Sequence, residues 1–280
     1  TVTDLPLSAL PNAGFPVYQD GRFIYRSSPE YVAQHARRMV RAGVTLVGGC
    51  CGTSPEHIAA IRDALVGVDS RRQPQPVRPV VVQPRRKSPA PQTVDPTKLA
   101  RALGRKFVVT VEVDPPKGFD VSKCFEDLSA LKESGLMDAI NVADNPRAQG
   151  RISALAMCSL IQSRLGIETI MHLALRHRNL VALHSELFGA HALGVRNVFV
   201  VMGDVPHSGD YPDATSISDI TSSGSIRLMK GFNTGVDLAG KPIEQATSFN
   251  VGCAFNMGAR DMDRELRTLD RKIKAGADFI

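Results

Sequence analysis

The chain has 280 residues, of which 43% are hydrophobic and 22% charged, and it carries a net charge of +6. That length accommodates about two domains with cores of their own, and the composition is that of an ordinary globular protein, which excludes the disordered and fibrous classes. No stretch approaches the roughly 18 consecutive apolar residues of a membrane span, and the first residues lack the charged start and apolar run of a secretory signal.

The positive charge is concentrated. Arg71, Arg72, Arg78, Arg85, Arg86 and Lys87 fall in one segment with no acid between them, and without these six the basic and acidic residues balance. The excess therefore belongs to a solvated tether, and no nucleic-acid partner is expected. Five cysteines, two of them adjacent at Cys50 and Cys51, suit ligation or reduced thiols better than a disulfide framework, so a cytoplasmic location is expected. The chain begins without methionine and stops at Ile280 inside an apolar run, which predicts a piece of a longer polypeptide.

Residues 1–30 are rich in turn formers (Pro6, Pro11, Asn12, Gly14, Pro16, Gly21) and read as loop with one short strand at most. Ser28-Pro29 then starts a helix over Tyr31–Ala42, and Val44–Val47 reads as a short buried strand. Gly48–Thr53 reads as a turn, and Ser54-Pro55 starts a second helix through Leu65, with Ile58, Ile61 and Leu65 on one face. From residue 68 to 98 prolines alternate with Gln, Arg and Ser, the composition of an extended linker between a first domain (1–67) and a second (99–280).

The second part opens on Phe107–Pro116, an apolar strand stopped by two prolines. Side chains alternate along it, so Glu112 shares a face with Thr110, opposite Val109, Val111 and Val113. In a central strand Glu112 would be buried, its pKa raised towards neutrality as a general acid requires; in an edge strand it would stand in water. Helices and strands then alternate: helix 121–133, strand 139–143, helix 152–165, strand 168–173, helix 179–193 and strand 197–202. After a long insertion come strand 248–254, helix 262–275 and strand 277–280. Strict alternation demands a parallel sheet. With no G-x-G-x-x-G after the first strand and no P-loop, a (β/α)8 TIM-type barrel cut off at its sixth strand is preferred over a doubly wound sheet.

In such a barrel the chemistry sits where strands end. Polar residues recur at those ends: Glu112 and Asp114, Asp144 and Asn145, His172, Gly203-Asp204, and Asn256. Any one of them alone reads as a strand-end hydrogen bond or a helix cap. Arg271 and Lys272, on the last helix, read as phosphate ligands or as solvated charges. His184 and His191, seven apart on one helical face, read as structural. Cys50 and Cys51, on a glycine-rich turn at a strand's carboxyl end, could hold a soft metal such as zinc, though two ligands do not complete a site. Cys124, Cys158 and Cys253 read as small buried hydrophobes.

Two resemblances follow from these residues. Pro11-Asn12-Ala13-Gly14, the helix from Ser28 and the run Val47-Gly48-Gly49-Cys50-Cys51-Gly52-Thr53-Ser54-Pro55-Glu56-His57-Ile58 resemble the end of a zinc-dependent homocysteine S-methyltransferase domain. From Phe107 onward, Val111–Pro116, Ile140–Asn145, His172-Leu173, Gly203-Asp204 and Arg271–Asp278 resemble methylenetetrahydrofolate reductase, and the order of the two looks like a bacterial bifunctional fusion. The first resemblance implies that Cys50 and Cys51 are two of three zinc thiolates, which activate homocysteine to attack a methyl donor. The second implies an FAD-dependent barrel that uses NAD(P)H to reduce methylenetetrahydrofolate.

Under that resemblance Glu112 is the acid that protonates the folate N10 and Asp204 lies beside flavin and folate. Ala143, His172, Met202, Gly203, Asp204, Thr268, Arg271 and Lys272 match flavin-contacting positions. The resemblance allows a homo-oligomer. Two departures stand out: Val142 and Ala143 replace a threonine and a tyrosine common in reductases, and Ala254, Phe255 and Asn256 replace an aromatic-Pro-Glu run. The first departure supports an alternative reading, a non-catalytic folate- or flavin-binding regulatory module attached to the methyltransferase.

Overall fold

The computed structural model describes residues 7–19, 22–68 and 95–280, and the chain divides into two compact units, Thr1–Arg86 and Lys87–Ile280. The tether expected over residues 68–98 lies mostly outside the described residues, as do all six of its arginines and lysine.

In the first unit the elements run β1 (Leu7–Ala9), β2 (Val17–Gln19), β3 (Arg22–Ile24), α1 (Pro29–Arg41), β4 (Val44–Val47) and α2 (Pro55–Leu65). β1 lies parallel to β4, with Leu7 opposite Val44 and Ala9 opposite Val47, while β2 and β3 form an antiparallel pair. The first thirty residues thus hold more strand than expected. Each strand is three residues long, too short for alternation to show. Ser28 caps α1 by accepting the Tyr31 N–H at 3.3 Å, with Pro29 at the first helical position. Val32, Ala36 and Ile61 form the buried contact between the two helices, with Val47 and Leu65 packed against it.

The second unit begins with α3 (Lys98–Ala102) and continues through β5 (Thr110–Val113), α4 (Ser122–Ser134), β6 (Ala139–Val142), α5 (Ala154–Leu165), β7 (Thr169–Ala174), α6 (Leu180–Ala192), β8 (Asn197–Val201), α7 (Ser222–Asn233), β9 (Asn250–Cys253) and α8 (Met262–Lys274). The five strands form one parallel sheet in the order β5-β6-β7-β8-β9. No reversal of strand order occurs, so the sheet has no switch point of the doubly wound kind and matches the wall of a TIM-type barrel. The expected sixth strand is reduced to a single parallel bridge between Phe279 and Gly252, supported by Asp278, whose carboxylate accepts the Val251 N–H at 2.7 Å.

Alternation assigns the two faces. Val111, Val113, Ile140, Val142, Met171, Leu173, Val198, Val200, Val251 and Cys253 join one apolar core with residues of α4 to α7. On the opposite face Ala139 and Ile170 pack with Leu99 of α3, Leu103, Phe199 and Phe279, and a Cβ on Gly252 would come within 2.4 Å of the Phe279 ring. Below this plug the Thr97 hydroxyl donates to Asn197 at 2.7 Å, and Glu168 accepts from Asn197 at 2.9 Å and from the Leu99 N–H at 3.2 Å. The amino ends of the strands are therefore sealed, and the carboxyl ends are left for chemistry.

Candidate functional site

Each unit brings candidate residues together. In the first, the turn after β4 brings Cys50 and Cys51 to the surface with their sulfurs 3.8 Å apart. The turn is pinned by its backbone: the Cys50 N–H donates to Pro11 O (3.0 Å), the Cys51 N–H to Asn12 Oδ1 (3.2 Å), and the Ala13 N–H to Cys51 O (2.9 Å). The motif around Pro11-Asn12-Ala13 is thus the cradle of the cysteine turn. Two thiolates about 2.3 Å from one tetrahedral ion stand about 3.8 Å from each other, so the pair is spaced as zinc ligands are. No cluster of three or more His, Cys, Asp or Glu side chains able to hold a metal occurs among the described residues.

In the second unit the face of the sheet opposite the α4 to α7 core carries Thr110, Glu112, Asn141 and His172. Asn141 donates to the Thr110 hydroxyl at 2.9 Å and lies 3.3 Å from His172 Nε2, whose ring stacks obliquely on Phe199 at 5.2 Å. Burial pushes the His172 pKa down, against the opposing pull of Glu112 and Asp144. Glu112 itself is exposed on β5, which is an edge strand of the sheet among the described residues. Of the two placements open to it, Glu112 has the solvated one.

Asp204 is exposed and its carboxylate accepts the Arg147 N–H at 2.6 Å. It thereby holds a 3-10 turn, Pro146–Ala148, in which Arg147 and Ala148 have positive φ, as does Asn145 just before it. Such conformations are costly for non-glycine residues and concentrate at functional sites. Asp114 lies 3.6 Å from Arg147 and 3.8 Å from Arg151. Ala143 is buried at the end of β6. Val142 points into the helix-side core, so the valine that replaces a common threonine stands away from the face carrying Glu112 and His172.

Met202, Thr268, Arg271 and Lys272 converge with Thr221, Ser222 and Ser223 on a cavity of about 240 Å³. The last three open α7, where the Thr221 hydroxyl accepts the Gly224 N–H at 3.1 Å. Arg271 donates to the Thr268 hydroxyl at 3.0 Å, and the buried Lys272 donates to Ala254 O at 2.6 Å. A helix N-terminus, hydroxyls and a guanidinium form a donor set suited to a phosphate. This donor set fits the anionic part of a dinucleotide such as FAD. Gly203 stands one residue beyond Met202, its carbonyl accepting from Arg176 Nε at 3.1 Å. Asn256 is in an exposed loop and lies outside this cluster.

Several residues here escaped sequence reasoning. A second cavity, of about 230 Å³, sets Gln149, His177 and Tyr211 beside the expected Asn145; His177 Nε2 is buried without a hydrogen-bond partner. Arg178, paired with the buried Asp144 at 2.5 Å, fixes the end of β6. The only signal for α7 was its cap, Thr-Ser-Ser-Gly before Ile226, inside what read as a long insertion. The residues read as structural do pack: His184 contacts Phe188 and Phe232, His191 lies against Ser248 and Phe249, and burial pushes the Cys158 thiol up to about 12.

The family model described as Methylenetetrahydrofolate reductase matches residues 98–280, and that described as Homocysteine S-methyltransferase matches residues 1–65. The chain is similar to the methionine synthase of Mycobacterium leprae (strain TN), 36% identical over 81 residues, which are 29% of this chain and 7% of that protein. It is also similar to the methionine synthase of Mycobacterium tuberculosis (strain ATCC 25618 / H37Rv), 38% identical over 65 residues, 23% of this chain and 6% of that protein. The chain thus spans less than a tenth of the length of these relatives. With most of its length matched, the chain belongs to the methylenetetrahydrofolate reductase family, and a homocysteine S-methyltransferase fragment precedes its reductase region.

Proposed function

We propose that the protein combines reduction of 5,10-methylenetetrahydrofolate, with FAD and NAD(P)H, and zinc-dependent methyl transfer to homocysteine, giving methionine. The observation that carries the reductase reading is the cavity that gathers Met202, Thr268, Arg271 and Lys272 with the start of α7, since four residues matched to flavin contacts on sequence grounds share one anion-suited site. Bound FAD would supply the hydride. Glu112 would give a proton to the folate N10, opening the five-membered ring to an iminium that accepts that hydride. His172, neutral at physiological pH because its pKa is depressed, would keep the face beside Glu112 from carrying a fixed positive charge. Asp204 would hold the turn at Pro146–Ala148 in place and set the local negative potential.

In the methyltransferase region Cys50 and Cys51 would bind zinc and present homocysteine as a thiolate. The departures at Val142 and Ala143 favour the alternative of a non-catalytic module; of the two, Val142 lies in the helix-side core, away from the polar face, which weakens that alternative. Glu112→Gln in the purified protein should leave flavin reduction by NAD(P)H intact and slow the folate half-reaction by roughly 10²-fold or more, as measured by stopped-flow absorbance. Equal loss in both half-reactions would remove the acid role from Glu112.

A further inference from the structure

The cavity of about 230 Å³ has no task in the proposed chemistry. Its walls come from three connections at the carboxyl ends of the strands: Ala148 and Gln149 after β6, His177 after β7, and Pro206, Tyr211 and Thr215 after β8. The first and third connections are bonded to each other. The Gly150 N–H donates to Asp210 Oδ2 at 3.0 Å and the Asp210 N–H to Ala148 O at 3.2 Å, in addition to the Arg147 bond to Asp204. A Cβ on Gly209 would fall 2.0 Å from Ala148 O, so the two connections are in contact there and position 209 has no room for a side chain. Ala148 itself has φ +51°, a conformation that costs free energy and collects at ligand clamps. The walls are therefore preformed, as those of small-molecule sites usually are.

The lining narrows the chemistry of an occupant. His177 Nε2 is buried with no hydrogen-bond partner among the described residues, and a buried polar atom left unpaired is costly enough to call for one. Burial lowers the pKa of His177, so its ring is neutral near pH 7 and no lining side chain carries a charge. A phosphate or carboxylate would enter without a counter-charge. Gln149 Oε1 already accepts from Arg151 at 3.2 Å, which leaves the Gln149 NH2 group to donate. Tyr211 is 70% exposed and leaves aromatic surface uncovered. At about 30 Å³ per water the volume equals about seven waters, room for one fused-ring heterocycle. Apolar and aromatic surface for the faces of a ring, beside neutral hydrogen-bonding groups for its edge, fits a nitrogen heterocycle.

We propose that this cavity binds an uncharged nucleoside, whose purine-type base stacks on Tyr211 and turns its ring-nitrogen and amino edge to His177 Nε2 and the Gln149 amide. The site shares no lining residue with the anion-suited cavity of Met202, Arg271 and Lys272. Its wall includes the turn that Asp204 holds, so an occupant bears on a residue of the proposed reductase chemistry.

The test titrates adenosine into the purified protein saturated with FAD, read by calorimetry and by nitrogen NMR of the histidine rings. The expected result is a single adenosine per chain, a displaced Nε2 resonance of His177, and binding weakened about tenfold or more in Tyr211→Ala, the loss that removing a stacking aromatic brings. The resonance is identified by its disappearance in His177→Gln. Because Tyr211 is exposed, Tyr211→Ala should unfold at the same urea concentration as the parent, which separates lost binding from lost fold. Failure of adenosine to bind overturns the proposal. So does binding that Tyr211→Ala leaves unweakened, or that leaves the His177 resonance in place.

Discussion

His172 sits where burial and charge compete. Its ring is packed against Phe199 and faces Asn141, and burial pushes its pKa below the ordinary 6.5 even though Glu112 and Asp144 pull the other way. His177 and His191 are shifted in the same direction, again chiefly by burial. The folded protein therefore binds fewer protons at these rings than the unfolded chain does. Stability rises with pH wherever the unfolded state holds the extra protons, so this contribution is intact above the unfolded value and is lost as pH falls below it. The urea midpoint of unfolding should be lower at about pH 5.5 than at about pH 7.5, and His172→Asn should flatten that dependence. An unaltered slope in the variant would mean that His172 is protonated as readily in the folded state as in the unfolded one. Position, not residue type, makes this histidine informative: in sequence it was one polar residue in an apolar strand, and only the register of β6 against β7 sets Asn141 beside it.

At the level of elements, the end of β6 depends on one ion pair. Asp144 has no exposed side-chain surface; it accepts the Ala174 N–H at 2.9 Å and two bonds from Arg178, the closer at 2.5 Å. The pair ties the segment after β6 to the segment after β7, and so sets the start of the strained turn that Asp204 holds. Removing one partner strands a buried charge. Arg178→Met should cost about 3–5 kcal/mol in urea unfolding, and the double variant Asp144→Asn, Arg178→Met should recover much of it. A single variant within about 1 kcal/mol of the parent would show that Asp144 is satisfied without its arginine. The strands and helices that carry this pair were legible from alternation, because β6, β7 and β8 are largely apolar runs separated by helices. The last segment was legible only as apolar: residues 277–280 have strand composition, and in the structure Phe279 makes one parallel bridge to Gly252, with its ring in the space a Cβ at that glycine would need. β1 was hidden for a different reason. Its three residues acquire strand geometry from β4, more than thirty residues away, and no local pattern announces such a partner. Whether Glu112 is buried was equally non-local, since it depends on what flanks β5.

For the whole molecule, each proposed chemistry draws its residues from one compact unit: Asn12, Cys50 and Cys51 from the first, and Glu112, His172, Asp204, Thr268, Arg271 and Lys272 from the second. The family matches divide along the same lines, at residues 1–65 and 98–280. The two sets share no residue, and substitutions at sites with no residue in common are expected to act additively. Cys51→Ala, or stripping the metal with a chelator, should abolish methionine formation while folate reduction changes by less than about twofold. Glu112→Gln should do the reverse, and the double variant should show the product of the two effects in paired assays. These expectations follow from separate donor sets, in which loss of a thiolate removes a ligand from the metal and leaves every group around the phosphate-suited cavity where it was. A chelator that suppresses folate reduction as strongly as methionine formation would show that the two chemistries share an element, and the assignment of the cysteines to methyl transfer alone would have to be given up.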